Sequence, residues 1–140
     1  MKRLSVYLIF TIVFGLISCK EETKAPELEE HQQYHTVTLS FEGPETSEKA
    51  DENPFLNYRL EVNFKSEESA YTVHGFYAAD GNAAESSAEA GNIWQVRFNP
   101  DKVGKWSYAA QLHHGDSIAL SDDNGQGKSI DLTNASGEFM

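Results

Sequence analysis

Trp94-Gln95-Val96-Arg97-Phe98-Asn99-Pro100-Asp101-Lys102-Val103-Gly104-Lys105-Trp106-Ser107-Tyr108 reads as a strand, a corner and a second strand. Trp94, Val96 and Phe98 alternate with Ile93, Gln95 and Arg97; after the corner, Trp106, Tyr108, Ala110 and Leu112 alternate with Lys105, Ser107 and Gln111. Successive strand residues point to opposite faces, so a period of two marks a half-buried strand with one wet face. Pro100 removes a ladder donor, and Gly104 permits a positive φ where the chain turns back. Trp106 then points inward, which makes the corner structural.

The same period recurs on both sides. Val37, Leu39 and Phe41 alternate with Thr36, Thr38 and Ser40, and Tyr58, Leu60, Val62 and Phe64 alternate with Arg59, Glu61 and Asn63. Weaker strands are expected from Tyr71 to Tyr77, around Ile118–Leu120 and around Ile130–Leu132. Turn signals separate them: Gly43-Pro44, Asn53-Pro54, Asp80-Gly81-Asn82, His114-Gly115-Asp116 and Asp122-Asp123-Asn124-Gly125. The Ala/Glu/Ser-rich stretch Ala83–Ala90 fits a loop or two helical turns, too short for a helix stable alone. Short strands in this number, without a long helical period, predict an all-β, immunoglobulin-like antiparallel β-sandwich of about seven to eight strands over residues 35–140.

The N-terminus reads differently. Met1-Lys2-Arg3 is basic, and Leu4 to Ile17 is a nearly unbroken apolar run of fourteen residues. A bilayer-spanning helix needs about 20, so fourteen fits a signal peptide over residues 1–18. Leu16-Ile17-Ser18-Cys19 resembles the lipobox of bacterial lipoproteins, in which the cysteine becomes the lipidated first residue. Two or three acyl chains, at about 0.8 kcal/mol per buried CH₂, suffice for stable anchoring. Lys20-Glu21-Glu22 resembles the surface-export signal of Bacteroidetes lipoproteins. Residues 19–34 are thus expected to be a lipidated Cys19 and a flexible acidic tether that reaches about 50 Å when extended. The expected address is the outer membrane, facing the surface.

Composition narrows the partners. The 140 residues carry 11 Lys+Arg against 22 Asp+Glu, for a net charge of −11. Within residues 35–140 the balance is 7 against 17, or −10. Nucleic-acid binding needs clustered cations for phosphate, and no stretch supplies them. The membrane is therefore met through the lipid alone. Cys19 is the sole cysteine, which excludes disulfides within the domain, thiol catalysis and Cys-based zinc sites.

No catalytic constellation stands out. Glycoside hydrolysis commonly uses two carboxylates, but so acidic a chain makes accidental pairs abundant, and none has a context that would raise a pKa. His113 and His114 are adjacent in a strand and point to opposite faces, so they cannot chelate one ion together. His31 and His35 straddle the tether, and His74 lies mid-strand. G-x-S-x-G and phosphate-binding Gly-rich loops are absent. Asp80, Asn82, Asp122, Asp123 and Asn124 offer oxygens, but turn chemistry accounts for them and no EF-hand pattern is present. No catalytic residue, metal ligand or cofactor site is expected. Among the aromatics, Trp94 and Tyr108 fall at inward parity, which leaves Tyr77, beside the Asp80-Gly81-Asn82 turn, as the candidate ligand contact.

Several blocks together carry a resemblance. Phe41-Glu42-Gly43-Pro44, Asn53-Pro54-Phe55 leading into Tyr58-Arg59-Leu60, Gly75 to Ala83, Trp94 to Pro100 and Gly104 to Tyr108 occur in order. They resemble the immunoglobulin-like N-terminal domain, of unknown function, that precedes the TIM-barrel catalytic domain of bacterial proteins assigned as glycoside hydrolases. The resemblance covers about residues 36–140. It implies a β-sandwich, a surface enzyme acting on polysaccharide and a C-terminal barrel as partner, with catalysis belonging to the barrel. The chain stops at Met140, about where a final strand would lead into such a barrel. The expected function is a non-catalytic accessory module of a polysaccharide-degrading lipoprotein; the alternative is a stand-alone glycan-binding or adhesion lipoprotein.

Overall fold

The computed structural model describes residues 30–121, 123 and 125–140. Cys19, the signal run and the tether up to residue 29 lie outside the described residues, as do Asp122 and Asn124. Among the described residues, eight strands run in chain order: β1 (Val37–Ser47), β2 (Tyr58–Lys65), β3 (Ala70–His74), β4 (Phe76–Tyr77), β5 (Ala90–Phe98), β6 (Trp106–His114), β7 (Lys128–Ile130) and β8 (Ser136–Phe139). They form two antiparallel sheets, β1-β5-β4 and β3-β2-β6-β7, and β8 pairs with the start of β6 beside β7. The protein is an all-β sandwich.

The alternating residues meet between the sheets. Val37, Phe41, Trp94 and Val96 from one sheet and Leu60, Val62, Phe64 and Leu112 from the other are all buried. At one end, which we call the proximal pole, Phe64 stacks on Phe98 at 4.1 Å between centroids, and Trp106 meets Phe98 edge-on at 5.0 Å. At the distal pole, Trp94 packs against Tyr58 at 5.0 Å and Tyr77 at 5.2 Å. The lead-in to β1 docks at the proximal pole: the Tyr34 amide donates to the Pro100 carbonyl at 2.8 Å, and His31 lies edge-on to Phe139.

The corner between β5 and β6 forms as its sequence predicts. Gly104 has φ +118°, Trp106 is fully buried, and its indole Nε1 donates to the Lys102 carbonyl at 3.1 Å. Elsewhere the structure corrects the expected elements. The expected strand Tyr71–Tyr77 is two strands: β3 pairs with β2, then the chain crosses at Gly75 and β4 pairs with β5 in the other sheet. Gly43-Pro44 makes a bulge within β1, not a turn, where the register with β5 slips between Glu42 and Thr46; a residue lacking an N–H is tolerated at a bulge. Asn53-Pro54 opens a helical turn, α1 (Pro54–Asn57). Asn53 caps it by accepting from the Phe55 amide at 2.9 Å, and Pro54 sits where no N–H is needed. Ala83–Ala90 contains a single helical turn, α2 (Ala83–Ser86), before β5 begins.

Ile118–Leu120 is a 3-10 turn rather than a strand. Asn57 holds this segment from both sides, its carbonyl accepting from Gly115 N and its side chain from Ser117 N. Ser117 adopts φ +53°, and Ile118 is buried. β7 begins at Lys128, two residues before the expected Ile130.

Candidate functional site

The distal pole carries a pocket of about 240 Å³ between the edges of the two sheets. Its walls come from α1 (Pro54, Phe55), β2 (Tyr58, Arg59, Leu60), the crossing segment (His74 to Tyr77), Trp94 and Ala119. The Asn53 cap fixes α1 and with it Phe55, while the crossing at Gly75 places Phe76 and Tyr77. A second cavity of about 260 Å³ adjoins it and shares Phe76 and Tyr77; Asn82, Gln95 and Arg97 are among its other walls. Phe55 and Phe76, both in the wall of the first pocket, are 51% and 37% exposed.

Tyr77, the candidate ligand contact, lies at the floor, only 4% exposed. Its hydroxyl donates to the Thr46 carbonyl at 2.6 Å and lies 3.1 Å from the Gly91 carbonyl. Tyr77 therefore offers its ring, which Phe55 meets edge-on at 5.9 Å. Trp94 is buried behind it, and Tyr108 is half-buried at the other pole. Phe55, Phe76 and Arg97 escaped the sequence reading. The Asn-Pro cap signature before Phe55 was the available clue, since it marks a short helical turn. Arg97 places its guanidinium 5.2 Å from the Phe76 ring centroid, within cation–π range.

The electrostatics are set by surrounding carboxylates and by burial. Burial pushes the Tyr58 hydroxyl above its ordinary value of 10.0, and Glu52 adds to the shift. Burial likewise raises Tyr77, with smaller contributions from Glu45 and Glu48. Glu52 also reaches His114 Nε2 at 3.0 Å. Among the described residues, no carboxylate lines the pocket itself.

Two residues expected on a wet strand face are buried. Arg59 is 3% exposed and Glu61 5%. Arg59 donates to the carbonyls of Ser121 at 2.9 Å and Asp123 at 3.0 Å, so the chain after the 3-10 turn covers it. Its Nε lies 3.7 Å from Glu61 Oε2, and His74 Nε2 lies 3.8 Å from Glu61 Oε1.

Asp80 and Asp123, the described carboxylates of the oxygen-rich turns, bond within their own turns. Asp80 Oδ1 accepts from Asn82 N at 2.9 Å, and Asp123 Oδ1 from Gly125 N at 2.9 Å. Hydrogen bonds from Ser86 and the Asn82 amide hold the Asp80 carboxyl below its ordinary value. Among the described residues, no three His, Cys, Asp or Glu side chains stand together to hold a metal. His113 and His114 diverge, His114 packing on Tyr58 at 4.6 Å while His113 stands opposite Arg59 in the β2–β6 register.

No curated protein matches the chain. Among solved structures, a presumptive glycoside hydrolase from Bacteroides vulgatus ATCC 8482 is similar at 22% identity with a TM-score of 0.47. The match covers 79% of this chain and 16% of that one, so the chain spans about a sixth of that protein's length. A family defined as a domain of unknown function, DUF5060, matches residues 30–113, from the lead-in before β1 almost to the end of β6. That is more than half of the chain, and the protein belongs to the DUF5060 family.

Proposed function

We propose that this sandwich is the non-catalytic accessory module of a surface-anchored polysaccharide-degrading lipoprotein. The observation that carries this reading is the family match over residues 30–113. That span includes every block by which the chain resembles domains preceding a catalytic barrel: Phe41–Pro44, Asn53–Phe55 leading into Tyr58–Leu60, Gly75–Ala83, Trp94–Pro100 and Gly104–Tyr108. The N-terminal pattern ending in Cys19 supplies the anchor, the residues between it and the docked His31 the tether, and a barrel following the sandwich would supply the chemistry.

The test has two arms. The purified mature chain, incubated with a polysaccharide panel, should release no reducing ends; turnover abolished by a single Asp or Glu substitution would sink the non-catalytic role. The nucleotide sequence beyond the Met140 codon should continue in frame through several hundred residues of β/α alternation. A stop codon followed by unrelated genes would instead favour a stand-alone glycan-binding or adhesion lipoprotein. The exposed Phe55 and Phe76 rings at the distal pole speak for that second reading.

A further inference from the structure

We propose that the distal pocket binds one ring of a neutral oligosaccharide, and that the next ring passes over Phe76 into the adjoining cavity. The choice of sugars over other ring-bearing ligands rests on the polysaccharide reading above; the site, its size and its charge preference rest on the structure.

Large exposed apolar side chains scattered singly need no explanation, but grouped around a concavity they mark a binding site. Phe55 stands on the first turn of α1 and Phe76 on the two-residue strand after the crossing, and both remain exposed at the mouth of one pocket. Aromatic faces carry partial negative charge, which suits the C–H face of a pyranose. The volumes, about 240 and 260 Å³, fall below the roughly 300–1,000 Å³ of sites for drug-sized ligands. Each therefore takes one ring, and their shared wall at Phe76 and Tyr77 makes the pair a site for two. Polar groups are present in both to fix orientation: the exposed His74 imidazole in the first, Asn82 and Arg97 in the second.

Charge selects a neutral sugar. The Arg59 guanidinium in the first pocket is held by two backbone carbonyls and faces Glu61, and Arg97 lies over Phe76. Glu52 stands at this pole, 3.0 Å from His114 Nε2, and His114 packs on Tyr58 at 4.6 Å; Glu45 and Glu48 add negative charge on the Tyr77 side. Arg97 is exposed and keeps its charge beside the second cavity, but the acidic surround opposes it, so a uronate or sulfate should bind less well than a neutral sugar. Placement also fits. The chain enters at the opposite pole, where Tyr34 bonds to Pro100, and strands of eight or nine residues separate the poles by about 25–30 Å. The pocket thus lies at the pole opposite the docked lead-in to β1.

The mature chain should be tested by affinity electrophoresis and calorimetry against neutral glucans, mannans, galactans and xylans, with polygalacturonate as the acidic comparison. At least one neutral polymer should bind, and polygalacturonate should bind less well. The Phe55→Ala/Phe76→Ala double variant should lose at least tenfold in affinity with its melting temperature kept, and Phe76→Trp, which preserves a ring, should retain binding. A disaccharide of the bound polymer should bind more tightly than its monosaccharide. Binding to no neutral polymer, undiminished binding by the folded double variant, or preference for polygalacturonate would overturn the proposal. The accessory-module reading fails separately, on the reading frame beyond Met140.

Discussion

Gly75 lies against Leu60 at the point where the chain leaves one sheet for the other. A Cβ at position 75 would stand 2.7 Å from Leu60 Cγ and 2.6 Å from the Gln95 carbonyl oxygen. Leu60 is itself buried and Gln95 is fixed in β5, so neither side of the gap can yield freely. Gly75→Ala should therefore destabilise the domain by about 1–3 kcal/mol, as overpacking does. It should also displace Phe76, one residue on. Denaturant melts check the first effect, and the same glycan-binding assay checks the second. An unchanged melting midpoint would mean that the crossing has slack.

Trp106 closes the corner at the proximal pole through its packing on Phe98 and its bond to the Lys102 carbonyl. Trp106→Ala should cost about 3–5 kcal/mol, a large share of the ~5–15 kcal/mol that holds a domain folded. Trp106→Phe keeps a ring and should cost less, chiefly the hydrogen bond at about 1 kcal/mol and some lost contact. A loss below about 1 kcal/mol for the alanine variant in denaturant melts would contradict the packing role.

The strands that were legible in the sequence are those with one buried face, such as Val37 to Phe41 and Trp94 to Phe98, because burial imposes the period of two. The sheet crossing was not. Tyr71, Val73, Gly75 and Tyr77 keep one parity throughout, and parity says nothing about which strand supplies the hydrogen bonds. Arg59 and Glu61 read as solvent-facing because alternation cannot foresee the loop that bonds to Arg59 through Ser121 and Asp123. Ile118 read as strand because a lone apolar triplet does not distinguish a strand from a buried turn. At the site, Tyr77 was visible beside a turn, whereas the exposure of Phe55 and Phe76 depends on contacts made between α1, β4 and β5.

Tyr77 and Tyr58 should make the domain alkali-sensitive. Both hydroxyls are raised above 10.0 in the folded state, so the folded protein keeps protons that the unfolded chain releases. Their contribution to stability is complete below pH 10 and is lost as pH rises through the folded values. Denaturant midpoints should fall as pH rises above 10, and Tyr77→Phe should fall less steeply than the wild type. Equal slopes would remove Tyr77 from the account.

The proposed anchor is tested at Cys19. Wild-type protein expressed in a bacterium that processes lipoproteins should incorporate labelled fatty acid and partition into detergent, whereas Cys19→Ala should do neither. Protease treatment of intact cells should remove the sandwich if it is displayed outward. Protection until the outer membrane is permeabilised would place it facing the periplasm, and equal labelling of the variant would refute lipidation at this residue.

Arg59 and Glu61 share a buried environment in which neither is self-sufficient. Arg59→Leu would leave the Glu61 carboxylate buried, with the exposed His74 as its neighbour at 3.8 Å. Breaking one partner of a buried pair typically costs about 3–5 kcal/mol, whereas replacing both with apolar residues often costs far less. Arg59→Leu should therefore be the worse single change, and Arg59→Leu/Glu61→Leu should recover part of the loss, a coupling that a double-mutant cycle isolates. The recovery should be incomplete, because Arg59 also bonds to the carbonyls of Ser121 and Asp123, and the double variant still releases that segment. Limited proteolysis provides the independent readout: both Arg59 variants should be cleaved between Ser121 and Gly127 faster than wild type, while Glu61→Gln should not. If Arg59→Leu costs under about 1 kcal/mol and the segment stays protected, Arg59 neither clamps the loop nor neutralises Glu61.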